Sequence, residues 1–453
     1  MKRDPGVFDT NMNLMRNPDD YPFLRPNMTE GTSSDDLARY ATDQITENLL
    51  YFMDRAGPDD WEGMKWYLGA HDIENEWADQ YGLNDASVSG AVAALSPQAD
   101  WNINVHLGKQ LIDHFVNRGN LEWDPNMERV ARRMTANEAE GRIKRILIKG
   151  KEGVPTMGPI IDYIKNKPLG ELTDPEDIAM WIRIREEAWG DPNQPLVEGT
   201  PHLPADDPDF IPPGDVTGER GHGFRLVRPD GTFGDYKRNA RYKDEELGDI
   251  TDSTWNSNGA VANAVESLLA NGDRLRIGNA MGNRHKVRSF FNNKLMPFSL
   301  RGDVTMDTHA LEGGVMSTAG PAAAHGLADG SAVSNRAGSW GTYPLFADGY
   351  RQAARHVSQS TGRLILPNQV QSVVWEMKRK LFENLGRDDV AEIQQAWREY
   401  HDSGRTMRSA QDEVWRIAER ANARAAIADP KKRPKRPSEP GIFDAWDRAQ
   451  RKK

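Results

Sequence analysis

The sequence predicts a mainly α-helical protein, and three observations carry that prediction. Apolar residues recur at three- and four-residue intervals through most of the chain, the spacing that gathers them on one side of a helix. Ser, Asn, Gly and Pro punctuate these stretches where helices start and stop. A strand-like pattern is read in one place, Phe224 to Tyr236, as a β-hairpin.

Residues 1–33 read as an extended arm, because Pro5, Pro18, Pro22 and Pro26 each fix φ and remove a backbone donor. Ser34 is placed to cap a helix whose apolar positions are Leu37, Ala41, Ile45, Leu49 and Phe52. After Gly57-Pro58 a Trp-rich segment continues as helix and turns Trp61, Met64, Tyr67 and Leu68 into the core. A helix through Val88, Val92 and Leu95 ends at Ser96-Pro97, and another from Trp101 puts Val105, Leu111, Ile112 and Phe115 on one side. His106 and His114 on that helix lack metal-ligand spacing and read as ordinary surface or core histidines, so no metal is expected. Residues 34–125 thus form the first part of a helical core.

Residues 126–254 read as an insertion. Asp191 to Gly221 is dense in Pro, Asp and Gly and reads as loop. The hairpin that follows turns at Pro229-Asp230-Gly231, flanked by Arg225, Arg228, Tyr236, Lys237, Arg238, Arg241, Tyr242 and Lys243. Such a mixture suits a nucleic-acid backbone or a merely solvated hairpin. Residues 255–310 return to helix, with Val261, Val265, Leu268 and Leu269 inward from Asn258. A short turn at Met281-Gly282-Asn283 then feeds a helix carrying Val287, Phe290 and Phe291, followed by a loop broken at Pro297 and Gly302 and by Asp307 in Val-Thr-Met-Asp-Thr-His. Residues 311–342 read as a Gly/Ala-rich loop, either a cover over a substrate or a linker. Across 343–428 two helices flank Gly362 to Pro367, the second with a stripe of Val370, Val373, Val374, Met377 and Leu381. Further helices carry Ile393, Trp397, Val414 and Ile417. The basic, Pro-rich residues 429–453 read as a disordered tail that adds phosphate attraction or only solvates.

Composition removes several classes of function. A hydrophobic content of 38% with mean hydropathy -0.73 describes a soluble protein. No apolar run nears the roughly 20 residues of a membrane span, so no membrane partner is expected. The polar, Pro-broken start has no apolar signal region, which implies the cytoplasm, or the host cytoplasm if the chain is phage-encoded. With no cysteine, disulfides, thiolate metal sites, an iron–sulfur cluster and a Cys nucleophile are excluded. A net charge of -10 argues against coating nucleic acid by charge alone, while leaving room for a local basic surface. Within that frame, the turn at Met281 to Asn283 offers backbone N–H groups to a phosphate, and the Asp307 carboxylate follows close behind.

The order of turn, Lys-bearing helix and V-x-x-D-T-H resembles the helix-hairpin-helix DNA glycosylase superfamily with its endonuclease III-like core. By that resemblance Lys286 takes the place of the Schiff-base lysine and Asp307 that of the catalytic aspartate. Arg284 replaces the second hairpin glycine and Met281 the first proline. Val88 to Asn104, VSGAVAALSPQADWNIN, resembles the family's early helix and turn, which implies that Gln98 wedges into the duplex as a base leaves the stack. Trp101, with Asn102 beside it, would contact the extruded base, and Gly282, Asn283, Arg284, His285, Arg288 and His309 would contact DNA.

The Ser-Pro-x-x-x-Trp-like first motif, the V-T-x-D segment and the chain's large size are also similar to a phage branch of that superfamily, the glutamyl/putrescinyl-thymine pyrophosphorylases. This likeness implies thymine hypermodification: an amine displaces pyrophosphate from an activated hydroxymethyl-uracil in DNA. The partners would be DNA and a small amine or amino acid, with no cofactor. Asp307 would assist departure of the leaving group or deprotonate the amine, and Lys286, Arg284 and Arg288 would neutralise pyrophosphate. Two other readings stay open: a DNA N-glycosylase excising a modified or damaged base, and a noncatalytic DNA-binding or virion-associated protein in which Asp307 only caps a helix.

Overall fold

The first helix begins one residue earlier than its sequence signal suggests: the Ser33 hydroxyl, not that of Ser34, accepts the Asp36 backbone N–H at 3.1 Å. In the computed structural model the described residues are 31–97, 101–123, 162–189, 258–282, 285–318 and 343–428, with two short strands and a few single positions besides. They are mainly helical. In chain order the helices are α1 Ser34–Arg55, α2 Pro58–Trp61, α3 Trp66–Tyr81, α4 Asp85–Leu95, α5 Trp101–Val116, α6 Pro175–Trp189, α7 Asn258–Leu269, α8 Arg274–Ala280, α9 His285–Leu295, α10 Thr308–Val315, α11 Tyr343–Thr361, α12 Pro367–Phe382, α13 Arg387–Ser403 and α14 Met407–Ala428. The turn of the hairpin expected at 224–236 lies outside the described residues. No helix among the described residues is long and apolar enough to cross a membrane.

The chain divides into two units, Met1–Ile73 with Asn283–Lys453, and Glu74–Gly282. In the first, α12 is the central helix, packed by α1, α10, α11 and α14. Its Val370, Val373 and Val374 are fully buried, and the expected stripe continues through Met377 and Leu381. Leu37, Ala41, Ile45, Leu49 and Phe52 of α1 and Ile393, Trp397, Val414 and Ile417 of α13 and α14 complete one continuous core. Each large aliphatic side chain buried this way contributes roughly 1.5–3 kcal/mol. Glycines bring the backbones together where side chains would hold them apart. A Cβ on Gly349 of α11 would sit 2.5 Å from Ile45 Cγ2, and one on Gly314 of α10 2.7 Å from Phe346 Cδ1.

In the second unit, α4 buries every residue from Ala86 to Leu95 and packs on α7. Gly90 is the close-approach point, with Ile277 Cγ2 2.7 Å from where a Cβ would stand. Helix α6 buries Ile178, Trp181 and Ile182 and also packs on α7. In sequence the two units divide at 73/74 and 282/283. Residues 175–189, placed in an insertion because that stretch fits the resembled fold poorly, supply apolar surface that packs on α7.

One expected loop starts later than anticipated. Residues 311–315 are helical, because Asp307 supplies an N-cap and Gly313 and Gly314 allow α10 to lie against Tyr350, Val374 and Phe346. The remainder of that loop, 319–342, lies outside the described residues, as do 191–221, most of the 1–33 arm and the 429–453 tail.

Candidate functional site

Helix α9 places Lys286, Phe290 and Lys294 at successive four-residue steps, so the three share a face. The Phe290 ring lies between the two amines, with Lys286 Nζ 5.6 Å and Lys294 Nζ 4.6 Å from its centroid. Phe290 and Lys294 are buried, as are Val287, Phe291 and Leu295 beside them.

After α9 the chain runs extended toward α10, and two side chains fix that run. The Tyr343 hydroxyl donates to the Val304 carbonyl at 2.6 Å and accepts the Met306 N–H at 3.3 Å, while Asn293 Nδ2 donates to Thr305 Oγ1 at 3.1 Å. Val304 and Met306 are buried, which anchors the segment and delivers Asp307 to the N-cap of α10. Asp307 Oδ1 accepts the Ala310 N–H at 2.8 Å. Among the described residues, its Oδ2 accepts no hydrogen bond.

The Asp307 charge acts on three other groups of this unit. Lys286 keeps some accessible surface, yet protein crowded around its amine lowers its pKa from the ordinary 10.5, and the Asp307 carboxylate partly opposes that fall. Burial raises the phenols of Tyr67 and Tyr350, and the same carboxylate adds to both shifts. Burial also pushes the Tyr343 phenol up to about 12, against an opposing hydrogen bond from Ser289. The Tyr67 hydroxyl donates to Gln371 Oε1 at 2.7 Å. The result is an amine eased toward its free-base form, a carboxylate with one oxygen uncommitted among the described residues, and phenols held protonated as hydrogen-bond donors. Such a set can accept a proton from a nucleophile or supply one, and it can stabilise positive charge developing beside Asp307.

An aromatic wall extends from this cluster. Trp66 packs on Phe290 at 6.0 Å and on Trp375 at 6.5 Å, and Trp375 meets the His309 ring edge-on at 5.6 Å. Behind His309, Lys378 and Glu312 form a buried ion pair, 7% and 6% exposed. The Arg379 guanidinium stacks on Trp375, 4.6 Å from the ring centroid.

Of the residues singled out in the sequence, Lys286, Asp307, His285, Arg288 and His309 fall in this unit, with His285 packed on the Tyr343 ring at 5.6 Å. Lys286 and Asp307 are brought together. Gly282 adopts φ +60 and is exposed, as a turn glycine should be. Gln98, Asn283 and Arg284 lie outside the described residues. Asn102 lies in α5, its side chain likewise outside them. Trp101 belongs to the other unit and is 7% exposed, which leaves its ring almost no face on which a base could stack. No group of three or more His, Asp or Glu among the described residues has metal-ligand geometry.

Trp66, Tyr350, Glu312 and Lys378 escaped the sequence reading, and Tyr67 was read only as core. A signal for Lys378 was present, since it stands four residues after Val374 and three before Leu381 on an otherwise apolar face. Glu312 falls one helical turn after His309. Only the packing of α10 on α12 joins the two.

Comparison with known proteins adds a partial match. A model described as a family of unknown function, DUF7178, matches residues 33–149, a stretch that stops well before Lys286 and Asp307. No curated protein and no solved structure matches the chain.

Proposed function

We propose that this protein modifies a base in DNA, on a helix-hairpin-helix glycosylase-like scaffold, with Asp307 and Lys286 as its catalytic residues. The observation that carries the reading is the pairing of a desolvated amine with the cap carboxylate beside the Trp66–Phe290 wall. A base inside a duplex is out of reach, so the substrate base is extruded or single-stranded when it meets these groups. The favoured reaction is thymine hypermodification. The amine nitrogen of a small amine or amino acid forms a bond to the hydroxymethyl carbon of the activated uracil, the carbon–oxygen bond to pyrophosphate breaks, and Asp307 Oδ2 takes the proton the amine loses. Arg288 and Lys286 offset the charge of the departing pyrophosphate.

Excision is the second reading, and the lowered pKa of Lys286 favours it. A free-base lysine can attack the sugar C1′ while Asp307 stabilises the cation formed as the C1′–N bond breaks.

Mass spectrometry of nucleosides separates the readings, using wild-type protein and Asp307→Asn with DNA carrying hydroxymethyl-uracil, its pyrophosphorylated form, or common lesions. Pyrophosphate release with a heavier base, lost in Asp307→Asn, is the expected result. Free base with an abasic site assigns excision instead. DNA left unchanged by the wild type, amine included, leaves Asp307 with its capping role alone and makes the protein a noncatalytic binder.

A further inference from the structure

The geometry points to a phosphoryl-binding donor at His309, its tautomer fixed by the buried Lys378–Glu312 pair. Lys378 Nζ lies 3.0 Å from His309 Nδ1. An ammonium has hydrogens to give and no lone pair to offer, so Nδ1 must be the acceptor in this contact. A proton on Nδ1 would instead face the ammonium. It would find no adequate partner in Glu312, whose Oε2 is 3.6 Å away. Glu312 Oε2 also holds Lys378 directly, which fixes the amine against the ring. The remaining arrangement puts the imidazole proton on Nε2. Among the described residues nothing engages Nε2, and the ring is 40% exposed.

His309 thus presents one oriented N–H donor two residues after Asp307, and the Arg379 guanidinium lies over the same Trp375 indole that the His309 ring meets edge-on. An imidazole N–H and a cationic guanidinium beside a shared aromatic ring suit an anionic ligand better than a base edge, since a guanidinium matches phosphoryl geometry. Lys378 and Glu312 are positioning residues, since they act through His309. The identification of the ligand as the pyrophosphate of the substrate rests on the proposed reading of Lys286 and Asp307; the tautomer stands apart from it.

The test is two-bond 1H–15N correlation of the histidine rings in the full-length 15N-labelled protein, with His309→Gln identifying the signal. His309 is expected to show an unprotonated Nδ1 and a protonated Nε2, and inorganic pyrophosphate is expected to shift the Nε2–H resonance. Lys378→Met should release the ring into a mixture of tautomers and lose most of the pyrophosphate response. Glu312→Gln, which keeps the amine but removes its anchor, should do so in part and serves if Lys378→Met fails to fold. A protonated Nδ1 in the wild type, a tautomer indifferent to both substitutions, or an Nε2 signal that ignores pyrophosphate overturns the inference. If a thymidine oligonucleotide shifts that signal and pyrophosphate does not, the donor serves a base and the phosphoryl assignment is wrong. A wild-type protein that leaves every DNA base unchanged while His309 answers pyrophosphate removes the base-modification reading and leaves this site standing.

Discussion

Asp307 caps α10 and, in the proposed reading, also carries the chemistry, and substitution can pull the two apart. Asn is as good an N-cap as Asp, so Asp307→Asn should keep α10 and abolish turnover, with thermal stability nearly unchanged. Asp307→Ala should in addition lose about 1 kcal/mol, read as a lower denaturant midpoint. If Asp307→Asn turns over normally, the carboxylate is structural only. Lys286 makes a prediction in pH. Its lowered pKa means that the free amine accumulates below the ordinary lysine range, so the basic limb of the rate should begin below pH 10.5 and vanish in Lys286→Met. A limb that stays in place in Lys286→Met belongs to another group. Both residues were singled out in the sequence because their order resembles a known motif, and the structure adds that the Asp307 charge acts on Lys286. Tyr350 was not, because its hydroxyl meets the Ala310 carbonyl only through packing of α11 on α10.

At the scale of elements, the α10–α12 contact hinges on two charges with almost no exposure. Breaking such a pair from one side leaves an uncompensated buried charge, so Glu312→Gln or Lys378→Met should each cost about 3–5 kcal/mol in urea unfolding. Replacing both with Met should recover most of that loss, and a double variant as unstable as the sum of the singles would show that the two do not interact. The α1–α11 contact depends on a missing side chain. Gly349→Ala should destabilise by about 1–3 kcal/mol, because its Cβ would meet Ile45 on a fully buried helix face. The sequence revealed α1 through its apolar stripe and α11 as the first of two helices flanking Gly362 to Pro367. It did not reveal that Gly349, in the middle of a helix where glycine is otherwise costly, marks their closest approach.

For the whole molecule, stability should fall on the alkaline side. Tyr67, Tyr343 and Tyr350 have phenols raised by burial, so their contribution is complete below the ordinary value of 10.0 and is lost as pH climbs through the folded values, about 12 for Tyr343. Lys286 works with the opposite sign. Its buried charge weighs on the fold at neutral pH, and the burden lifts as pH rises toward 10.5. Three phenols outweigh one amine, so the urea midpoint should drop between pH 10 and 12, and Tyr343→Phe should soften the drop. A midpoint that holds steady across that interval would contradict the assignment of buried, protonated phenols.

The sequence by itself determined the helical class, many of the helices with their inward faces, and the order in which Lys286 and Asp307 occur. These are local properties, set by spacing along a chain of fixed helical pitch and by capping residues a few positions away. The tertiary structure alone decided that 175–189 belongs to a core, that Asp307 acts on Lys286, Tyr67 and Tyr350 together, and that Lys378 and Glu312 meet behind His309. Those contacts join residues far apart in sequence, and no periodicity encodes which helix covers which.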